Sequence, residues 1–205
     1  VRCAREHGVT VLPADVNHSE WDNRLEKAGQ GQATRLALRL GLRQIDGFPQ
    51  HAAARLIAAR EDGLFSDVAA LRERAGLPAA QIERLAAADA FTSLGLSRRQ
   101  ALWDARSLVT APELPLFAAM KAREEGAEAV ATRLPAMPLS EEVVADYQTH
   151  RLSLKGHPIA FLRPALAERG FARAADLAHH AVRGSVQVAG VVLVRQRPGS
   201  AKNVV

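Results

Sequence analysis

GFPQHAAARLIAA, residues 47–59, comes back as GLPAAQIERLAAA at residues 76–88. Both stretches set glycine, one apolar residue and proline ahead of an alanine-rich run, and they share Arg55/Arg84, Leu56/Leu85, Ala58/Ala87 and Ala59/Ala88. Glycine permits a tight turn or a close backbone approach. Proline suits the first turn of a helix, where an amide hydrogen has no intrahelical partner. The pair therefore reads as two hairpins, each feeding a helix whose free N–H groups form a ready place for phosphate. The plain alternative is a helix-turn-helix corner in an all-α core.

Working outward, residues 49–108 read as alanine-rich helices broken at Gly63, Gly76 and Gly95. Ser66 is the expected N-cap of DVAALRERA, and Ser97 with Gln100 forms a capping box ahead of ALWDARSL. Upstream, VTVLPADVNHSEWD reads as a strand running into a loop. ATRLALRLGLRQI, from Ala33, alternates Leu36, Leu38, Leu40 and Leu42 with Arg35, Arg39 and Arg43, which predicts a strand with one apolar and one basic face. Pro112 and Pro115, then Pro135 and Pro138, mark linkers. Downstream, Ser140 is placed to cap a helix through EEVVADYQTHRL, and two more helices are expected around 159–169 and 173–181. The valine-rich SVQVAGVVLVRQRPG returns to β.

Composition sets the outer bounds. The 205 residues are 48% hydrophobic, enough to bury a core, and carry 27 Lys+Arg against 22 Asp+Glu for a net charge of +5. A basic excess of this size permits a polyanionic partner. The single cysteine, Cys3, excludes an internal disulfide and any multi-cysteine zinc site. His7, His18, His51, His150 and His157 show no metal-ligand spacing, and adjacent His179 and His180 diverge on a helix. No long apolar run or signal-peptide pattern is present, so a cytoplasmic protein with no membrane partner is expected. The chain opens on Val1 without Met and closes on Asn203, Val204 and Val205 inside a β-like run, which predicts a piece of something longer.

The tandem hairpins resemble the helix-hairpin-helix motif, a module for non-specific DNA backbone binding whose usual hairpin is Gly-apolar-Gly. Here Pro49 and Pro78 replace the second glycine and remove its N–H, so contacts fall to Gly47, Phe48, Gln50 and His51, or to Gly76, Leu77 and Ala79, with Arg35, Arg39 and Arg43 as nearby cations. The second copy has a clear helix on both sides. The first follows a strand.

HGVTVLPADVNHSEWD, LRLGLRQIDGFPQHAAARLIAAR, AAADAFTSLGLSRRQALWDA and VAGVVLVRQRPGSAKNVV occur in an order that resembles the C-terminal part of the bacterial DNA polymerase III alpha-subunit family, and most of all its error-prone, damage-tolerant branch. That resemblance implies a mainly α fold with short β segments, divided as the end of a fingers region at 1–44, a tandem helix-hairpin-helix domain at 45–108, a linker at 109–138, a helical connector at 139–183 and the start of an OB-fold at 184–205. It implies duplex DNA as partner, with translesion synthesis as the setting and other translesion-synthesis proteins as candidate partners. Two-metal phosphoryl transfer needs converging carboxylates, and the sequence holds no Asp-x-Asp pair. No catalytic residue, metal ligand or cofactor is therefore expected in this chain, while the whole polymerase would need magnesium.

Within the linker, ELPLF (Glu113, Leu114, Pro115, Leu116, Phe117) resembles the sliding-clamp-binding pentapeptide, with Glu113 where that pattern has glutamine. The alternative function is thus a protein-interaction module that tethers a polymerase to its clamp. A helix-hairpin-helix DNA glycosylase fits poorly, because Pro49, Gln50 and His51, like Pro78, Ala79 and Ala80, supply no hairpin lysine. Arg195, Arg197 and Lys202 could serve a single-strand groove in the OB-like end.

Overall fold

The computed structural model describes residues 1–28, 35–108, 134–180, 184–192 and 194. Its chain divides into two compact units, Val1–Lys155 and Gly156–Val205. The first unit begins with α1 (Arg2–Glu6) and a small sheet in the order β1-β3-β2. β1 (Thr10–Leu12) runs parallel to β3 (Arg35–Arg39), with Val11 opposite Leu38, and β2 (Arg24–Ala28) lies antiparallel on the other side of β3.

The leucine alternation overstates that strand. β3 stops at Arg39, and Leu42 lies instead in a 3-10 turn, Leu42–Gln44. Leu36 is exposed while Ala37 is buried, so the apolar and basic faces do not separate as the spacing predicts. The cause is the loop before β2. The N–H groups of Leu42 and Arg43 donate to the carbonyls of Glu20 and Trp21 at 2.8 and 3.1 Å, and Gly41 donates to Asn23 Oδ1 at 2.8 Å. Gly41 approaches so closely that a Cβ would stand 2.3 Å from the Trp21 carbonyl oxygen. These bonds pull the chain off the sheet and aim it at the first hairpin.

Four helices follow: α2 (Gln50–Ala59), α3 (Val68–Ala75), α4 (Ala79–Ala87) and α5 (Arg98–Ser107). The break between α2 and α3 is sealed by Arg74, which donates to the Gly63 carbonyl at 2.7 Å and stacks 4.9 Å from the Phe65 ring centroid. α3 is capped by Asp67, whose side chain accepts from the Ala70 N–H, and Ser66 supports it by donating to the Asp67 carboxylate. The cap thus falls one residue later than expected, because a carboxylate outcompetes the neighbouring hydroxyl for the first-turn amides. Ser97 caps α5 as expected, but Gln100 turns its amide to Asp104 rather than back to the cap, so only half of the capping box forms. α6 (Leu139–His150) starts after Pro138, and Ser140 lies inside its first turn rather than capping it.

One apolar cluster joins the sheet to these helices, with Val16, Leu40 and Leu42 meeting Leu56, Leu71, Ile82, Leu85 and Phe91. Its polar fastening comes from the loop at Asp15–Ser19. Asn17 is buried and bonds both backbone groups of Phe65, donating to its carbonyl at 3.0 Å and accepting from its N–H at 2.8 Å. Asp15 accepts from the N–H groups of Asn17 and Ser93, and the Ser19 hydroxyl donates to the Leu40 carbonyl. Arg98, 1% exposed, ties α5 to α6 by pairing with Asp146 and donating to the Glu142 carbonyl at 3.0 Å. This unit therefore runs through the helix assigned from sequence to a separate connector.

In the second unit, α7 (Pro158–Glu168) is capped by His157, whose ring accepts from the Ile159 N–H. The helix expected at 173–181 is a 3-10 segment, Ala174–His179. Of the valine-rich end, the described residues contribute one bridge, Ala172 to Val188, and no longer strand. No helix among the described residues is long and apolar enough to cross a membrane.

Asn17→Ala should cost about 2–4 kcal/mol, since it strands a buried N–H and a buried carbonyl on Phe65. Urea unfolding measures this, and a loss under about 0.5 kcal/mol would remove Asn17 from the fastening role.

Candidate nucleic-acid interface

The two repeats adopt the same local structure. Gly47 and Gly76 have φ of +68° and +58°, the left-handed region open chiefly to glycine. The next residue turns inward in each case, with Phe48 4% and Leu77 2% exposed. Pro49 and Pro78 then sit as N-caps in extended backbone, one position ahead of the first helical turn. Further on, Ala53 and Ile82 are fully buried at matching positions, as are Leu56 and Leu85. The hairpins differ in what leads into them: α3 precedes the second, and the Leu42–Gln44 turn precedes the first.

Each hairpin leaves three amides pointing away from the fold's own bonding. Among the described residues, the N–H groups of Gly47, Gln50 and His51 at the first, and of Leu77, Ala79 and Ala80 at the second, have no hydrogen-bond partner. The amides of Gln50 and His51, like those of Ala79 and Ala80, are orphan donors of a first helical turn, while those of Gly47 and Leu77 lie just ahead of the capping prolines. Gly47, Gln50, His51 and Ala80 are exposed, Ala79 is half-buried and Leu77 is buried. Two of the expected donors are spent internally. The Phe48 N–H donates to Ile45 at 3.1 Å, and the Gly76 N–H donates to Arg72 at 2.8 Å as the C-cap of α3. Ala80, which sequence reasoning left out, takes the place of Gly76 in the second set.

The strand arginines are less available than their spacing suggests. Arg39 donates to both carboxylate oxygens of Glu26, at 2.7 and 3.3 Å, and to the Pro13 carbonyl at 3.1 Å. Its hydrogen bonds hold the Glu26 carboxyl below the ordinary carboxylate range. Arg39 is thus a sheet fastener. Arg43 is exposed and paired with Asp22, and Arg35 is placed by its backbone at the start of β3. The segment ELPLF lies outside the described residues, as do Arg195, Arg197 and Lys202.

The cations that do stand at the hairpins come from within the repeats. Arg84 of α4 donates to the carbonyl of Gly47 at 2.6 Å, and Arg55 of α2 donates to the carbonyl of Gly76 at 2.6 Å. Each repeat's arginine therefore serves the other repeat's glycine. The signal was present in the sequence, because both arginines lie at matched positions in GFPQHAAARLIAA and GLPAAQIERLAAA. Only folding shows that the exchange is reciprocal.

Elsewhere in this unit, a cavity of about 270 Å³ opens between Val11, Leu40, Ala88, His150, Leu152 and Lys155. Burial lowers the pKa of His150 there, favouring the neutral ring. No group of three or more His, Cys, Asp or Glu among the described residues is arranged to hold a metal ion.

The geometry agrees with sequence comparison. A family described as a helix-hairpin-helix motif matches residues 8–101, which takes in the sheet, both hairpins and the start of α5. The error-prone DNA polymerase of Brucella abortus is 50% identical over 205 residues, covering 100% of this chain and 19% of that protein. The chain is homologous to the error-prone DNA polymerases. Those of Sinorhizobium medicae, 45% identical over 223 residues, and of Ruegeria pomeroyi, 48% identical over 205 residues, are matched along 100% of this chain and 20% and 18% of their own lengths. The chain spans about a fifth of the length of these polymerases. The family resemblance carried by its sequence therefore holds from end to end.

Gly47→Ala and Gly76→Ala should each cost about 1–2 kcal/mol, the penalty for forcing an alanine into left-handed backbone. Equal losses in urea unfolding are expected. A loss at one glycine alone would show that the two hairpins are not equivalent.

Proposed function

We propose that this chain is a non-catalytic part of an error-prone DNA polymerase and that it grips the backbone of duplex DNA without reading base sequence. The observation that carries this reading is the paired hairpin geometry, with three amides at or just ahead of each of two matched helix starts that have no partner among the described residues. A helix N-terminus presents partial positive charge as well as donors, so a phosphate oxygen is the natural acceptor. Backbone amides touch no base edge. They position a duplex without discriminating sequence, and the net charge of +5 favours approach to a polyanion.

Such a grip suits synthesis past damaged template positions, where base-specific contacts would fail at the lesion. The chemistry of nucleotide addition, and the magnesium it needs, are assigned to the remainder of such a polymerase. Residues 45–108 are the DNA-holding domain in this reading, and 184–205 begin an OB-fold. The setting is the bacterial cytoplasm.

A second grip is proposed at ELPLF. Leu116 and Phe117 are the paired apolar side chains that a groove on a sliding clamp would take, contributing about 3–6 kcal/mol before ordering costs. Both grips serve one end, since each holds a polymerase near its primer.

Fluorescence anisotropy of the 205-residue chain on two unrelated duplexes, repeated across several salt concentrations, tests the first grip. Both duplexes should bind alike, with a log-log salt slope of roughly −2 to −4. Affinity insensitive to salt, or confined to one sequence, would contradict it. For the second grip, L116A combined with F117A should abolish capture on an immobilised sliding clamp while circular dichroism stays unchanged. Undiminished capture would remove ELPLF from the account.

A further inference from the structure

Arg55 and Arg84 hold the sixth position of α2 and α4 respectively, and both are exposed. Their guanidinium groups nevertheless do not drift in solvent. Arg84 Nη1 donates to the carbonyls of Asp46 and Gly47 at 3.3 and 2.6 Å, and Arg55 Nη2 donates to that of Gly76 at 2.6 Å. So close is the approach that a Cβ on Gly47 would stand 1.9 Å from Arg84 Nη1, and one on Gly76 would stand 2.3 Å from Arg55 Nη2. Each guanidinium thus lies over the glycine of the opposite hairpin, in the space a side chain would fill.

A guanidinium has five N–H donors in a planar fork. Among the described residues, the Nε and Nη2 of Arg84 and the Nε and Nη1 of Arg55 have no partner, so each fork is oriented by one edge and open along the rest. Some other arginines of the fold are closed instead. Arg74 spreads its two terminal nitrogens over three carbonyls, those of Ala59, Gly63 and Leu64, and Arg39 is closed by Glu26 and Pro13. Both forks that stand on the hairpins keep free donors among the described residues.

We propose that Arg55 and Arg84 complete a pair of composite phosphate sites. At the first hairpin, a DNA phosphate meets the amides of Gly47, Gln50 and His51 together with Arg84. At the second, another meets those of Leu77, Ala79 and Ala80 together with Arg55. This inference rests on the backbone-binding reading and deepens it, because it says where the charge comes from and why neither repeat suffices alone. Arg-to-phosphate contacts suit a planar fork that is already oriented, since little rotamer freedom remains to be lost on binding. The prolines fit the same picture: where Pro49 and Pro78 take away one amide, the crossed arginine restores a donor and adds a full charge.

Salt-dependent anisotropy on a duplex, applied to Arg55→Ala, Arg84→Ala and their combination, tests this directly. Arg5→Ala, an exposed arginine on α1, serves as the charge control. Each single hairpin variant should weaken binding roughly tenfold at 100 mM salt and reduce the magnitude of the salt slope by about 1, and the double variant by about 2. Arg5→Ala should leave the slope unchanged. Arg84→Lys, which keeps the charge but not the fork, should retain the wild-type slope with weaker binding. Thermal melts followed by circular dichroism separate folding from contact. Wild-type slopes in the alanine variants, with or without a lower melting temperature, would make the arginines structural staples and overturn the inference while leaving the backbone-binding reading intact. A wild-type chain that shows no salt-dependent duplex binding would overturn both.

Discussion

A left-handed glycine under a borrowed guanidinium is the constraint around which the first unit is organised. Gly47 and Gly76 are confined twice, by a positive φ that disfavours a Cβ and by an arginine that fills the space the Cβ would need. Because each arginine comes from the other repeat, the two turns fix one another. The apolar residue between glycine and proline then drops into the shared core, and proline starts a helix with its free amides facing outward. Turn, packing and exposed donors are consequences of one local geometry used twice.

The remainder of this unit holds that pair in place. Asn17 and Asp15 bind the sheet loop to the backbone at Phe65 and Ser93, on either side of the second repeat. Arg98 fastens α5 to α6 from a buried position, where its charge is balanced by Asp146. Breaking such a buried pair from one side leaves an uncompensated charge, so loss of either partner destabilises the fold. The frame is polar at its joints and apolar between them.

The sequence made the hairpins legible because glycine and proline have narrow conformational meanings and the pattern occurs twice. It was less informative wherever long-range partners decide the outcome. The leucine alternation through residue 42 is real, yet the carbonyls of Glu20 and Trp21 end the strand early. β2 has the composition of a solvated stretch and forms only because β3 lies beside it. Asp67 rather than Ser66 caps α3, a choice between adjacent residues that only backbone geometry resolves. At the interface, matched spacing exposed Arg55 and Arg84 as equivalents but not as exchanged. Arg39 was misleading because Glu26, its partner, sits on a strand the sequence did not announce.

Homology to the error-prone DNA polymerases extends along the whole of this chain and about a fifth of theirs. The proposed grip of amides and arginine forks would not depend on base sequence, since phosphates are alike along the strand whatever the bases carry. Amide-resolved NMR of the 15N-labelled chain during titration with a short duplex tests this account most directly. The account predicts that the amides of Gly47, Gln50, His51, Leu77, Ala79 and Ala80 shift together, with equal saturation at the two hairpins. Shifts confined to one hairpin, or gathered on the β2–β3 face instead, would contradict it.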